Sequence, residues 1–590
     1  MEAVPQVLSC ERACCNLHRQ LRLNIFILNL EGHGSVYPSL LKPVRNVVAC
    51  TKTMKRTRSI VFNLVLSLFA FNFSFAQTAP IPRIVEKNGR HALLVDGKPY
   101  FMLGGQAHNS SGWPGMLPQV WNAAKAMHLN TLETPIYWEQ IEPQPGQFDF
   151  SVVNTLLSQA RTHNVRLVLL WFGTWKNGGN HYMPEWMKRD AAKYPNITGK
   201  NGQAVDSPSP HYPAMMELDI KAFSAVMRHL KQADPQHTVI MMQVENESGA
   251  WDSMRDYSAV AQKLFEEEVP AALLKPAVLQ ALNVPVVTGG NWRQVFGDRA
   301  DEYFHAWSVA RYVGKVAAAG KAEYPLPMYT NAALREPFGN PMANTYESGG
   351  PTDNVIPIWK VAAPALDLLA PDIYLSGSKK ILKVIDLYDR PGNPLFVPEA
   401  DFSADRAKYL YEIMARGGIG FSPFGINANG RPETPAETAA RVAPFAADYA
   451  MAGPMMRELA EWGFEGRIKA VVEQEDHAEQ TIDLGAWQAT VSFGADHNNN
   501  SKPGDEANGK LMIVQLSENQ FVVIGAGCHL TFKPLGSNSG RAWQYLKVEE
   551  GRYENGQFKF LRILNGDETD FGGPRFGAEP VVLKVGLVVR

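Results

Sequence analysis

Between residues 90 and 430 the sequence alternates short apolar runs with helical patterns eight times, and this repetition restricts the fold more than any other feature. Strands that alternate with helices form parallel sheets, because each helix returns the chain to the same edge of the sheet. Eight repeats favour a (β/α)8 barrel over an open doubly wound sheet, and no glycine-rich phosphate loop supports the open sheet. The predicted strands are 100–105, 130–138, 166–172, 238–246, 326–332, 366–374, 394–400 and 418–425, with helices predicted, for example, at 117–127, 151–163, 219–232, 256–268 and 403–416.

After about residue 465 the pattern changes to short alternating strands separated by Gly, Asn, Pro and Asp turns. This pattern is typical of an antiparallel β-sandwich. We therefore predict a barrel domain at 77–455 and a β-sandwich accessory domain at 456–590. The loop 495–506 has the oxygen density of a calcium loop without EF-hand spacing, so we favour a solvated loop.

Residues 54–76 have the form of a secretory signal peptide, with a basic start, an apolar run and small residues before Gln77. A membrane anchor is the alternative, but the apolar run is short and interrupted by asparagine. Because a signal peptide acts from the chain start, we predict Met54 as the initiator and residues 1–53 as an upstream extension outside the fold. The protein is expected to be exported, periplasmic or secreted, without stable membrane insertion.

The charge and cysteine content narrow the function classes further. Lys and Arg number 57 against 59 Asp and Glu, so binding to nucleic acid is not expected. After signal cleavage only Cys528 remains, so no internal disulfide can form and a large core must hold the fold. The 13 tryptophans weakly favour a carbohydrate protein, since indoles stack on sugar faces.

Carboxylates follow the apolar runs of predicted strands four and seven. Strand four ends in MMQVENESG, with Glu245 and Glu247, and strand seven ends in LFVPEAD, with Glu399 and Asp401. Reacting groups of a (β/α)8 barrel stand at these carboxyl ends. A carboxylate after a buried strand is costly unless it is paired or used, and a cap or ion pair is the alternative role for each one.

Strands four and seven lie on opposite sides of an eight-stranded barrel, so their carboxyls can face each other across a sugar ring. A retaining glycosidase needs two carboxyls about 5 to 5.5 Å apart, one as nucleophile and one as acid. Strand alternation places Glu245 and Glu247 on the same side and does not choose between them. Position along the strand favours Glu247, which lies nearer the mouth.

Several tryptophans at strand ends are candidates for sugar stacking. Trp175 is the preferred one, with Asn177 as a polar neighbour, because the segment WKNGG follows strand three directly. For Trp138 rim packing is an equal alternative, and Trp171 is assigned to the core. Trp113 either touches substrate or anchors its loop.

The segment QVENESG resembles the QxENEYG motif of family 35 β-galactosidases, which belong to a glycosidase clan built on (β/α)8 barrels. Three other segments resemble that family in the right order: GGQAH at 104–108, LNTLETPIYWEQIEPQPGQFDF at 129–150, and WKNGG with PEW at 175–186, which is similar to WDNGGLPxW. The chain looks like a divergent bacterial branch of the family with a C-terminal sandwich.

The resemblance implies roles for individual residues. Glu247 corresponds to the acid/base, Glu399 to the nucleophile and Asn246 to the donor to the sugar 2-hydroxyl, while Tyr374 resembles the tyrosine beside the nucleophile. The implied activity is a retaining exo-β-galactosidase acting on plant cell-wall oligosaccharides, similar to enzymes that remove galactose from xyloglucan side chains. The implied reaction needs no metal or cofactor.

This sequence also departs from the family motifs. The positions of the motif tyrosine, asparagine and histidine are occupied by Pro135, Glu139 and Ile141, so several usual galactose contacts are replaced. Another retaining β-glycosidase with a different terminal sugar therefore remains an alternative. A non-catalytic sugar-binding barrel is disfavoured because both carboxylates are present. Oligomeric state is left open.

Overall fold

Eight parallel strands close into a barrel in the computed structural model, which describes residues 79–494, 501–502 and 504–590. The predicted signal peptide, the upstream extension and part of the loop 495–506 lie outside the described residues. The barrel strands are, in order, Met102–Gln106, Thr131–Tyr137, Arg166–Lys176, Val239–Asn246, Met328–Ala333, Leu368–Ile373, Phe396–Val397 with Glu399–Ala400, and Gly420–Phe421. All eight predicted strands are confirmed.

The seventh strand is split at Pro398, and the split closes the barrel. Its first half, Phe396–Val397, pairs with the eighth strand, and its second half, Glu399–Ala400, pairs with the sixth. The eighth strand then pairs with the first. Proline carries no N–H for a ladder bond, so it is tolerated at this change of partner.

The fourth strand, Val239–Asn246, is buried along its whole length, as expected where a parallel sheet is covered on both faces. Helices surround the barrel and end where local signals require it. Helix Leu117–Met127, for example, ends at His128, which adopts left-handed backbone geometry and donates its N–H to Ala124 O and Lys125 O.

The α-helices of the described residues are Leu117–Met127, Trp138–Ile141, Ser151–His163, Glu185–Lys188, Pro213–Ala233, Ala259–Glu266, Pro276–Ala281, Trp292–Phe296, Ala300–Glu323, Ile356–Ala362, Ser378–Tyr388, Ala404–Ala407, Tyr409–Ala415, Pro435–Ala452 and Met456–Phe464. The five helices predicted as examples are confirmed, with boundaries that differ by a few residues and with the last one divided in two. A small hairpin, Asn196–Thr198 with Ala204–Pro208, lies after the third barrel strand.

A three-stranded antiparallel sheet precedes the barrel, with strands Arg83–Lys87, Arg90–Val95 and Lys98–Tyr100. Its Leu93 and Val95 pack in one apolar cluster with residues near the starts of barrel strands, such as Val168 and Leu368. This sheet covers the amino-terminal end of the barrel, so the carboxyl end is the side left for substrate.

The C-terminal region is a sandwich of two antiparallel sheets, as predicted. Six strands form one sheet in the order Ile468–Val472, Lys510–Ser517, Gln520–Ala526, Val581–Val589, Trp543–Glu554 and Gln557–Leu564, and four form the other in the order Gln480–Asp483, Trp487–Phe493, Cys528–Pro534 and Arg575–Phe576. Trp487 and Phe493 of the smaller sheet pack against Leu511 and Phe521 of the larger one.

The barrel and the sandwich share one compact unit, Thr78–Arg590. Met512 and Ile524 of the sandwich belong to the same apolar cluster as the barrel helices. The first sandwich strand begins at Ile468, and helix Met456–Phe464 carries Arg457, which donates to the carbonyls of Val95, Lys98 and Pro99. No helix of the described residues is long and apolar enough to cross a membrane.

Candidate active site

The carboxyl ends of barrel strands four, six and seven bring three acidic side chains together. Oxygens of Glu247, Asp372 and Glu399 lie within 4.8 Å of one another. Asp372 and Glu399 are direct neighbours in the register of strands six and seven. The two carboxylates singled out in the sequence thus face each other, and a third, Asp372, joins them.

Two donors hold Glu399 in place. Tyr374, which directly follows strand six, donates its hydroxyl to Glu399 Oε2 at 3.0 Å. Asn246 donates its amide nitrogen to Glu399 Oε1 at 3.3 Å. Both are residues that the sequence predicts for this site. Hydrogen bonds to both carboxylate oxygens restrict the rotation of the group and aim it at the pocket.

The end of strand four does not keep the alternation that the sequence predicts. Glu245 and Glu247 both have positive φ, 60° and 42°, so the chain turns sharply after the regular strand. Glu247 donates its backbone N–H to Asn331 Oδ1 at 3.1 Å, and its side chain reaches the pocket. The prediction that Glu245 and Glu247 lie on the same side is therefore wrong.

Glu245 points away from the pocket, toward helix Pro213–Ala233. Its Oε2 accepts the N–H of Trp175 at 2.7 Å, and its carboxyl lies beside Asp219. Burial, and then the Asp219 charge, raise the pKa of Glu245 well above its ordinary value. Trp171 and Thr174 donate to Asp219 at 2.9 and 2.7 Å. Asp219 and Glu245 together therefore fix the end of strand three.

The remaining predicted acid, Asp401, is occupied by a structural ion pair. Arg406 donates Nε to Asp401 Oδ2 at 2.5 Å, and Ser403 donates its hydroxyl to Oδ1 at 2.5 Å. This leaves Glu247 and Glu399 as the facing pair.

The protonation of Glu247 suits an acid/base. Burial, followed by the nearby Glu399 charge, raises the pKa of Glu247 to about 7, while Lys176 and a hydrogen bond with Asp372 act in the opposite direction. Burial and the charges of Glu399 and Glu247 also raise the pKa of Asp372 well above its ordinary value. Near neutral pH, Glu247 can therefore both give and take a proton.

Sequence reasoning missed two acidic residues beside the pair, Asp372 and Glu347. Glu347, in the loop after strand five, is buried with no hydrogen-bond partner in the described residues for either oxygen. Its pKa is raised well above the ordinary value by burial and then by the charge of Glu247. Asn331 links Glu247 to Asp372, since its Oδ1 accepts the backbone N–H of Glu247 and its amide nitrogen donates to Asp372 Oδ2 at 2.7 Å. Only tertiary contact assembles this group.

The floor below the pair is polar. Glu133, in strand two, is fully buried and accepts the Tyr329 hydroxyl at 3.1 Å. Burial raises the pKa of Glu133 to about 8, so this side chain is largely uncharged at neutral pH. The one sequence signal was a Glu inside an otherwise apolar run, in LNTLETP.

Two tryptophans that the sequence predicts to stack on a sugar are buried in the structure. Trp138 is fully buried, donates Nε1 to Glu142 Oε2 at 2.9 Å and packs near Trp171. Trp175 is 1% exposed and meets Tyr312 edge-on. Neither offers a free face for a sugar. Asn177 is exposed in the turn after strand three and accepts from the Lys176 ammonium.

Other aromatic residues are exposed at the carboxyl ends of the strands. Trp113 follows strand one, Trp251 follows strand four and Tyr374 follows strand six, with 42%, 44% and 45% of their surface exposed. Trp113 is held by stacking on Tyr137 at 5.7 Å. These rings are better placed than Trp138 and Trp175 to contact a sugar. Sequence reasoning did not single out Trp251.

The geometry supports nucleophilic and acid–base chemistry at one carbon. Glu399 is held by two donors and can attack, while Glu247 faces it with a pKa suited to proton transfer. The converging oxygens of Glu247, Asp372 and Glu399 could also hold a cation. The expectation that the reaction needs no metal therefore stays a prediction.

Residues 92–296 match glycosyl hydrolases family 35. The matched residues contain the first four barrel strands, from Met102–Gln106 to Val239–Asn246. Residues 445–573, which span the last barrel helices and most of the sandwich, match a domain of unknown function, DUF5597. The family 35 match contains Asn246 and Glu247 but ends before Glu399.

Similar proteins align with only part of their own length. The chain is 32% identical over 178 residues to a β-galactosidase of Xanthomonas manihotis, covering 29% of this chain and 27% of that protein. It is 24% identical over 244 residues to β-galactosidase 10 of Arabidopsis thaliana, covering 40% and 30%. A solved β-galactosidase structure from Bacillus circulans sp. alkalophilus aligns with a TM-score of 0.43 and 15% identity, covering 61% and 57%.

Proposed function

We propose that this protein is a retaining exo-β-galactosidase of glycosyl hydrolases family 35. The observation that carries the proposal is the pair Glu247 and Glu399, whose oxygens lie within 4.8 Å in a barrel mouth. Oxygens this close favour the spacing of about 5 to 5.5 Å between the carboxyls of retaining glycosidases over the spacing of about 6.5 to 9.5 Å in inverting enzymes, which hold a water between them.

The proposed reaction has two steps at the anomeric carbon. Glu399 attacks that carbon and forms a glycosyl ester, while Glu247 gives its proton to the departing glycosidic oxygen. Glu247, now ionised, takes a proton from water, and the resulting hydroxide displaces Glu399. Two inversions at one carbon return the β configuration. Tyr374 and Asn246 orient Glu399 throughout.

We further propose galactose on xyloglucan side chains as the natural target, on the strength of the family resemblance. The exposed rings of Trp113 and Trp251, which follow barrel strands one and four, support a saccharide larger than one sugar. Removal of galactose from galactosylated xyloglucan oligosaccharides, with little from lactose or β-1,4-galactan, would support this substrate. Release only from another of these substrates would contradict it.

A panel of nitrophenyl glycosides tests the reaction class. Hydrolysis of the β-galactoside, with the β anomer of galactose as the first product seen by NMR, is the expected result. Faster hydrolysis of a different β-glycoside would favour the alternative terminal sugar. Binding without turnover would favour a sugar-binding barrel, and an initial α anomer would exclude the retaining mechanism.

Export is a separate proposal, supported by the signal-like segment 54–76. N-terminal sequencing of the protein recovered from the periplasm or medium should find Gln77 at or near the start. Recovery of a chain that includes residues before Met54 would contradict both the signal peptide and the assigned initiator.

A further inference from the structure

Lys176 is a buried cation at the edge of the catalytic pocket. It ends barrel strand three and pairs with Asn246, the residue before Glu247. The side chain is almost fully buried, its ammonium donates to Asn177 Oδ1, and it lies 5.3 Å from the centre of the Phe172 ring. Backbone hydrogen bonds between Lys176 and Gly179 fix the turn that carries it.

The surroundings of Lys176 are acidic, yet it forms no ion pair with the described residues within 4.0 Å. Its charge lowers the pKa of Glu247, Glu347 and Asp372, the three carboxyls whose pKa burial raises. Glu399 completes the group that faces the pocket. A buried ammonium is costly, and this one acts on several acids at a distance instead of neutralising one by contact.

We propose that Lys176 is the positioning cation of the catalytic centre: its fixed positive charge, rather than any contact with substrate, sets how protons are distributed between Glu247 and the neighbouring carboxyls. The proposal rests on the assigned roles of Glu247 and Glu399.

The physical reason is the crowding of four carboxyls in one buried site. Without a cation, each carboxyl raises the proton affinity of the others, and Glu247 would hold its proton too tightly to release it to a leaving oxygen. With the cation present, Glu247 remains able to exchange a proton near neutral pH. Lys176 thereby offsets the effect of burial and of the Glu399 charge on Glu247.

The first test is the pH dependence of kcat/KM with phenyl β-galactoside, whose poor leaving group requires a proton from Glu247. We expect Lys176→Met to move the basic limb of the profile up by about one pH unit, because a carboxyl loses a nearby cation. Lys176→Arg keeps the charge and should leave that limb near its wild-type position. Lys188→Met removes a cation from the helix that follows strand three, where it pairs with Glu139, and should not move that limb.

A second readout does not depend on turnover. In protein labelled at the glutamate side-chain carboxyl carbon, the NMR signal of Glu247 is identified by its loss in Glu247→Gln. Its titration midpoint should rise by about one unit in Lys176→Met and in Lys176→Gln, but not in Lys176→Arg. Two neutral variants are used so that the test can still be made if one of them fails to fold.

An unmoved Glu247 midpoint in a folded neutral variant would overturn the proposal, and so would an equal shift in Lys176→Arg, which would indicate a packing effect. These outcomes are distinct from failure of the proposed function. If the proposed function is wrong, the wild-type protein hydrolyses no β-glycoside, but the NMR titration still reports the effect of Lys176 on Glu247.

Discussion

At the scale of single residues, the two facing carboxyls carry different tasks because their surroundings differ. Glu399 accepts hydrogen bonds from Tyr374 and Asn246, which hold its carboxyl in position to attack. Glu247 has no comparable pair of donors among the described residues, and burial with the Glu399 charge raises its pKa to about 7. The environment therefore assigns nucleophile and acid to chemically identical side chains.

Glu247→Ala should harm substrates with poor leaving groups far more than activated aryl galactosides, by a factor of about 10² to 10⁴. The departing sugar oxygen needs a proton, whereas nitrophenolate does not. Added azide should restore turnover by replacing the deprotonated water and should yield the β-galactosyl azide. If Glu245→Ala, which alters the buried Asp219 pair, shows this rescue instead, the assignment of the acid would be wrong.

Glu399→Ala should abolish nearly all turnover without loss of fold, because no glycosyl ester can form. An activated 2-fluoro sugar should label Glu399 in the wild-type protein, as seen by mass spectrometry of the peptides. In the matched control, Asp401→Ala, Glu399 should still be labelled, because Asp401 is held by Arg406 and should carry no label itself. A label on Asp401 would contradict the structure of this strand end.

At the scale of elements, the turn after strand three connects the third, fourth and fifth strand ends. Gly178 donates its N–H to Glu247 O at 2.9 Å. Its φ is 73°, and an added Cβ would lie 2.7 Å from Glu347 Oε1 and 3.0 Å from Trp251 Cδ1. Glycine is therefore required both by the backbone and by the space that Glu347 and Trp251 occupy.

Gly178→Ala should reduce both stability and kcat, because it displaces Glu347 or the backbone that holds Glu247. Gly202→Ala is the control: its φ is 79°, but no atom lies within 4 Å of the added Cβ. That variant should lose only about 1 to 2 kcal/mol from backbone strain and keep its activity. Urea unfolding and initial rates measure the two effects, and equal loss of activity in both variants would contradict the role of crowding.

At the scale of the whole molecule, the sandwich is joined to the barrel by a buried ion pair as well as by apolar packing. Lys510, at the start of a sandwich strand, donates to Asp448 of helix Pro435–Ala452. Tyr411 donates its hydroxyl to the other oxygen of Asp448 at 3.0 Å. Burial raises the pKa of Asp448 even with Lys510 present, so the carboxylate depends on its partner.

Lys510→Met should lower the free energy of unfolding by about 3 kcal/mol, since it leaves a buried carboxylate unpaired. The loss should grow as pH rises from about 5 to 8. Without Lys510, the pKa of Asp448 in the folded state rises further above its unfolded value of about 3.9. The variant therefore loses stability as pH rises above that value, because the ionised form of Asp448 is disfavoured in the fold. Lys547→Met, which removes an exposed pair with Glu549, should cost less than about 1 kcal/mol. Urea midpoints at both pH values check this, and a pH-independent loss would contradict it.

The barrel and the sandwich could be predicted from the sequence because strand and helix periodicity are local properties of the chain. The eight strands, including Val239–Asn246, are recognisable as apolar runs of suitable length, and strand-end carboxylates such as Glu247 and Glu399 follow them directly. Three-dimensional contact decided the rest. Asp372, Glu347 and Lys176 come from different strands and loops, and no spacing in the sequence relates them.

The burial of side chains was also decided by the tertiary structure. A strand-end tryptophan has the same local sequence signal whether it faces solvent or the helix layer, and packing places Trp138 and Trp175 inside while leaving Trp251 exposed. The direction of Glu245 depended on two positive φ values that interrupt strand alternation. Periodicity therefore determined which elements form, whereas packing between elements determined which side chains share the pocket and how they hold their protons.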